Sequence, residues 1–239
     1  MKDTRRGWHE EDIQRFTGDA HHILSLCAKD ITYLLDRGYP YKSAVTFVGN
    51  HYLLTERQRN ALMRICSSAE MKNTILSRQL PVLEKGCTVN IDAFNAVILM
   101  ETALSGSMIL KGADGCYRDL SGLAGTYAVI QNTDLAIERI IRKLQEHEAS
   151  LAVFWIDSPV SNSGRLKTHI AEVAEQLSFP IDIRMVHNAD TELKKLDHVI
   201  SGDSAVLAEC INWYNLYREL MNDLKDPWIL DITGEDHNL

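Results

Sequence analysis

The chain has 239 residues, 45% hydrophobic and 24% charged, which is the balance of a soluble globular protein with room for one large domain or two modest ones. That composition excludes disordered, collagenous and coiled-coil chains. No apolar run approaches the roughly 20 residues of a membrane-spanning helix, and the charged start MKDTRRGWHEED lacks the apolar core of a signal peptide, so a cytoplasmic protein without a membrane partner is expected. The net charge of −8 is unevenly divided, with 13 Lys+Arg against 10 Asp+Glu in residues 1–87 and 12 against 23 in residues 88–239. This predicts two units, the first tolerant of a polyanion and the second rich in carboxylates.

Apolar residues recur three and four apart at Ile13, Phe16, Ala20, Ile23, Leu24, Cys27, Ile31, Leu34 and Leu35, which predicts helix. Gly18 is a candidate break, Asp19 a candidate cap for a second helix, and Gly38 with Pro40 its stop. YKSAVTFVGN predicts a short helix closed by Gly49 and Asn50. Thr55 and Gln58 have the capping-box spacing and open a helix with Leu62, Ile65, Cys66 and Ala69 on its apolar face. Arg57 and Arg64, seven residues apart, project from the other side; with Arg59 they form a face suited either to phosphates or simply to solvent.

From residue 87 the texture is α/β. Apolar runs CTVNID (87–92), LAVFWID (151–157), FPIDIRMV (179–186) and DHVISGD (197–203) alternate with helical patterns at 93–102, 134–146, 165–177 and 204–221. Such alternation predicts parallel βαβ crossovers and a mainly parallel central sheet flanked by helices. The expected domains are therefore a small α-helical unit over 1–86 and an α/β unit over 87–239. Between Ser105 and Thr126 a glycine-bearing insertion, with Gly106, Gly112, Gly115, Gly122 and Gly125, predicts a hairpin or a mobile loop. Residues 233–239 are expected to fray. The five cysteines have no C-x-x-C pair and are expected to be reduced, mostly buried thiols.

Three apolar strands end on aspartates, Asp92, Asp157 and Asp203, and a fourth, Asp190, follows the strand IDIRMV after HNA. In a parallel sheet such ends share the edge where open α/β folds bind ligands. Clustered carboxylates repel unless a hard divalent cation offsets them, which points to Mg2+ or Mn2+ and to metal-dependent phosphodiester hydrolysis. The alternative for each aspartate is a helix N-cap. SPVSNSGR places Ser161, Ser163 and Arg165 at a helix start, as a phosphate cradle or with Ser163 as cap. Asp114 and Asp119 are candidates for a further ligand or for turn residues, Arg118 and Tyr117 for backbone contact and base stacking, and His187 for an acid or base. Trp213, Tyr214 and Tyr217 suit core packing or a homodimer. No nucleotide-cofactor glycine motif is present.

Two resemblances sharpen this. VNIDAFNAVI resembles the first strand of PIN-like nucleases of the NYN type, in which an aspartate is followed three residues on by an asparagine, here Asp92 and Asn95. FWIDSPVSNSGR, HNADTELKKL and VISGDSAVLA are similar to the later acidic elements of that family, in the same order. The resemblance implies a PIN-like fold, with Asp92, Asp157, Asp190 and Asp203 binding Mg2+ or Mn2+, Asn95 orienting the first strand-end loop, and cleavage of nucleic acid, RNA before DNA. This chain departs from the pattern in having Asp190-Thr191 where many relatives have adjacent acids, and in its long insertion. The competing expectations are an inactive PIN-like module that binds RNA or protein, and a small-molecule phosphatase. In the first unit, ITYLLDRGYPYKSAVTFVGNHYLLTERQRNALMR resembles a prokaryotic family called domain of unknown function 434, which implies no activity.

Overall fold

A computed structural model describes residues 5–121 and 125–233. Gly122 of the insertion and residues 234–239 of the tail lie outside them.

The first unit is helical: α1 (Asp12–Phe16), α2 (Asp19–Asp36), α3 (Tyr41–His51), α4 (Glu56–Ile65) and α5 (Ala69–Ser77). Gly18, at φ 59°, separates α1 from α2 and takes the N-cap position, so Asp19 is the first helical residue and not the cap. Gly49 and Asn50 lie inside α3, which runs on to His51. The Thr55–Gln58 capping box forms as expected. Ala69 does not extend α4, because Ser68 caps a new helix, its hydroxyl accepting from the Met71 amide.

The second unit contains β1 (Thr88–Asp92), α6 (Ala93–Leu104), β2 (Ile109–Lys111), β3 (Tyr117–Asp119), α7 (Thr133–Glu146), β4 (Leu151–Asp157), α8 (Ser163–Gln176), β5 (Ile181–Val186), α9 (Ala189–Leu193), β6 (Val199–Ile200), α10 (Ser204–Glu209), α11 (Leu216–Asn222) and β7 (Ile229–Leu230). The α/β class is borne out: β5-β4-β1-β6 is a four-stranded, wholly parallel sheet. The chain steps outward from β1 to β4 and β5 and then returns to the other side of β1 for β6. The strand order thus reverses between β1 and β6, where open α/β sheets form their ligand crevice. Helix α6, AFNAVILMETAL, is apolar nearly all round and is buried along almost its whole length.

The insertion does contain a hairpin, since β2 and β3 pair antiparallel through Gly112 and Gly115. Strand β7 adds parallel to β2 and makes a second, three-stranded sheet. Ile109 of β2 faces the large core, while its neighbours Met108 and Leu110 face the core of the helical unit. Period-two alternation therefore wedges this strand between two hydrophobic cores.

The helix expected over 204–221 is interrupted. Residues 211–215 are extended beside the β6 edge, with the Tyr214 amide donating to Val199 O at 2.9 Å and the Val199 amide to Asn212 O at 3.2 Å. Trp213, Tyr214 and Tyr217 are buried within this core and offer no dimer surface. All five cysteines are free thiols and four are buried. Among the described residues no helix is long and apolar enough to cross a membrane.

Candidate functional site

A cleft of about 640 Å³ opens at the C-terminal edge of the parallel sheet, over the point where the strand order reverses. Asp92, Asp157, Asp190 and Asp203 all line it, with Asn95 between them. The cap reading holds for Asp92 and Asp203, which cap α6 and α10 while lining the cleft, but not for Asp157 or Asp190, since Asn188 caps α9 and Asp190 lies inside it. Asp92 Oδ1 accepts from the Asn95 amide at 3.2 Å at the start of α6, and Asp203 Oδ1 accepts from Ala205 and Val206 at 2.7 and 3.1 Å at the start of α10. Asp157 Oδ1 accepts from the Ala189 amide at 2.7 Å, at the start of α9. Among the described residues, the second oxygens of Asp157 and Asp203, and both of Asp190, have no hydrogen-bond partner.

Asp92 sits deepest, at 6% exposure, and its Oδ2 accepts from the Ser201 hydroxyl at 3.0 Å. Burial pushes its carboxyl up to about 7 against two hydrogen bonds that lower it, and Asp190 and Asp157 push the same way as burial. Asp190 is raised as well, by burial first and then by Asp203 and Asp157. Asp92 thus lies in the fields of Asp190 and Asp157, and Asp190 in those of Asp203 and Asp157. Among the described residues, however, no three His, Cys, Asp or Glu side chains already converge as a metal cage. The donor set is all oxygen and suits a hard cation, which would have to draw the carboxylates together.

Asn95 Oδ1 accepts from the Gly202 amide at 2.9 Å and from the Tyr217 hydroxyl at 3.3 Å, tying α6 to the loop that carries Asp203. That loop needs glycine at 202, where a Cβ would stand 2.8 Å from Asn95 Oδ1 and 2.9 Å from Tyr117 O. Ser201, unremarked in the sequence, both bonds Asp92 and accepts from the Asp203 amide at 3.1 Å. Its place between strand β6 and Asp203 was the one available signal.

The basic candidates separate. Arg64 lines the cleft, but Arg57 is held by Asp12, with Nε and Nη2 each 2.6 Å from a carboxylate oxygen, and borders a different pocket. Arg59 turns back to Leu54 O and Asn50 Oδ1. Arg118 lines the cleft with all of its guanidinium nitrogens engaged: it pairs with Asp114 and donates to Gly202 O at 2.6 Å, Arg64 O at 3.1 Å and the Ser204 hydroxyl at 2.9 Å. It is a buried strut and leaves no donor for a substrate. Gly112 makes room for it, since a Cβ there would lie 1.9 Å from Arg118 Nη1. Asp114 serves that pair, whereas Asp119 does line the cleft. Tyr117 is buried in β3 and presents no stacking face.

Ser161, Ser163, Arg165 and His187 do not line the cleft. Asn162, left-handed at φ 67°, precedes α8, and the Ser163 hydroxyl reaches back to Ser158 O at 3.4 Å, so Ser163 is not the cap.

Comparison with known proteins finds two family matches along the chain. Residues 83–219 match a family described as a domain of unknown function, DUF5616, and these are more than half of the chain. The chain belongs to that family. Upstream, residues 23–78 match the protein of unknown function family DUF434, the resemblance expected from the helical unit. A relative of this DUF5616 chain, the uncharacterized protein MJ0935 of Methanocaldococcus jannaschii, is 35% identical over 182 residues, covering 75% of this chain and 86% of that protein. No solved structure matches.

Proposed function

We propose that this protein is a PIN-like, metal-dependent nuclease that hydrolyses phosphodiester bonds, RNA before DNA, in the acidic cleft. The observation that carries the reading is the gathering of four aspartates in the cleft at the C-terminal sheet edge, where the strand order reverses, with carboxylate oxygens of Asp157, Asp190 and Asp203 left without a hydrogen-bond partner among the described residues. Those three would hold Mg2+ or Mn2+ together with Asp92, whose oxygens retain further lone pairs. Such a cation, when bound, supplies Lewis-acid polarisation of a phosphoryl group. The protein's own contribution is positional: helix-start amides fix one oxygen of Asp92, Asp157 and Asp203, and Asn95 with Ser201 fixes the loop bearing Asp203.

The test is cleavage of labelled single-stranded and structured RNA and DNA with Mn2+, Mg2+ or EDTA, comparing wild type with the Asp92→Asn, Asp203→Asn double variant. Metal-dependent cleavage lost in a folded double variant is the expected result. Absence of cleavage of every substrate, with no thermal stabilisation by either cation, would sink it. One observation favours a second reading, an inactive module that binds RNA or protein: among the described residues no three His, Cys, Asp or Glu side chains already form a cage. The phosphatase alternative gains nothing, because its phosphate cradle at Ser161, Ser163 and Arg165 lies outside the cleft.

A further inference from the structure

The cleft is walled by both units of the chain. On one side stands the carboxylate edge; on the other stand Met63 and Arg64, at the end of α4 in the helical unit. Five aspartates line it, Asp119 included, so an anionic substrate is repelled unless a cation in the lining meets it. Two arginines are present, and Arg118 has no nitrogen to spare. Among the described residues the Arg64 side chain makes one hydrogen bond, from Nη1 to Asp119 O at 3.0 Å, with Asp119 Oδ2 4.0 Å away, while its Nε and Nη2 make none. Lys194, near Asp190 and Asp203, is outside the lining and pairs with Glu209 at 2.8 Å.

Arg64 is also held in place by the other unit. Arg118 Nη1 donates to Arg64 O at 3.1 Å and the Ala113 amide donates to Ile65 O at 2.8 Å, so the last carbonyls of α4 are bonded to the β2–β3 hairpin. The same Arg118 grips Gly202 O and the Ser204 hydroxyl on either side of Asp203. A single buried side chain thus sets the spacing between the helical wall and the catalytic edge.

We infer that the helical unit is a working part of the site: Arg64 binds a backbone phosphate of the oligonucleotide through its unbonded Nε and Nη2 edge, and Arg118 is the positioning residue that holds Arg64 opposite Asp203. A guanidinium fork presents two parallel donors to a phosphate, which an ammonium does not. Of the three arginines that the helix spacing groups on one face, this assigns the role to Arg64 alone. The inference rests on the nuclease reading for the nature of its ligand.

The experiment uses the full chain and a fluorescent single-stranded RNA with a phosphorothioate backbone, with binding followed by anisotropy across a series of NaCl concentrations in Mn2+, alongside cleavage kinetics on the unmodified RNA. Arg64→Gln is expected to weaken binding roughly tenfold and to lower the slope of log affinity against log salt by about 0.7, the change for one lost phosphate contact on a single strand. Arg64→Lys should keep the slope while recovering only part of the affinity, and Arg142→Gln, on the far helix α7, should alter neither. A purely structural role for Arg64 would not move the salt slope. Wild-type affinity and slope in Arg64→Gln overturn the inference even if the enzyme cleaves. Arg64-dependent binding without cleavage under any metal sustains the inference and removes the nuclease reading. A wild type that neither binds nor cleaves removes both.

Discussion

Asp92 carries the electrostatic cost of the cleft. In the fold its carboxyl is pushed up to about 7 from the ordinary 3.8, chiefly by burial. Between those two values the folded protein holds a proton that the unfolded chain has released, so this group's contribution to stability falls as pH rises through that window and stays low above it. With metal chelated, Asp92→Asn is therefore expected to raise the melting temperature at pH 8 and to change it little at pH 4. Asparagine keeps the helix cap and the size, and the Ser201 hydroxyl can turn to accept from the new amide. The gain should be about 1–2 kcal/mol, or roughly 2–8 °C. With Mn2+ present the order should invert, since only the wild type offers the full set of carboxylates. Thermal melts of both proteins at the two pH values, with EDTA and with Mn2+, check this; an asparagine variant less stable than wild type at pH 8 in EDTA would contradict it.

At the scale of elements, what could be read from sequence was what neighbours along the chain decide. Strand β4 coincides residue for residue with the run LAVFWID, because strands covered on both faces are apolar without interruption. Asp92 and Asp157 were legible for the same reason, each standing as the last residue of such a run. Strand β7 was not, since Ile229 and Leu230 become a strand only through pairing with distant β2. The break at 211–215 hid behind helix-like spacing of apolar residues. It forms because Asn212 Oδ1 accepts from the His198 amide at 2.6 Å and Asn215 Oδ1 from the Arg218 amide at 3.2 Å, capping α11 instead of continuing α10. Arg57 and Arg64 looked equivalent because helix spacing shows direction but not partners, and only the fold gives Asp12 to one and the cleft to the other. The start of helix α4, though not its end, was signalled by its capping box. Thr55→Ala should remove the hydroxyl that accepts from the Gln58 amide and cost about 1 kcal/mol, or roughly 2–4 °C. A urea denaturation midpoint shifted down at an unchanged slope would agree with a cap lost from an otherwise intact fold.

Across the whole molecule the two cores do not divide at residue 87. Ile75, Leu80 and Leu83, from before that point, pack into the core of the α/β unit. Met108, Leu110, Leu120, Trp228, Leu230 and Ile232, from after it, pack with the helical unit. Trp8 meets Trp228 edge-on at 6.4 Å, and the Arg57–Asp12 pair adds a donation to Gly7 O at 3.0 Å, so the first residues are also drawn into this seam. Cutting the chain at 86/87 would leave those apolar side chains of the second unit without cover, a contiguous patch of the kind that drives aggregation. The fragment 87–239 should accordingly be insoluble or bind hydrophobic dye, while the full chain unfolds in one transition. The tryptophans allow a direct check, because Trp213 lies in the large core and Trp228 against the small one. Single-tryptophan variants retaining one or the other should report the same melting midpoint, and the calorimetric and van't Hoff enthalpies should agree. Two separated midpoints would mean that the units fold independently, and with them would go the argument that α4 is held rigidly enough to serve as a wall of the acidic cleft.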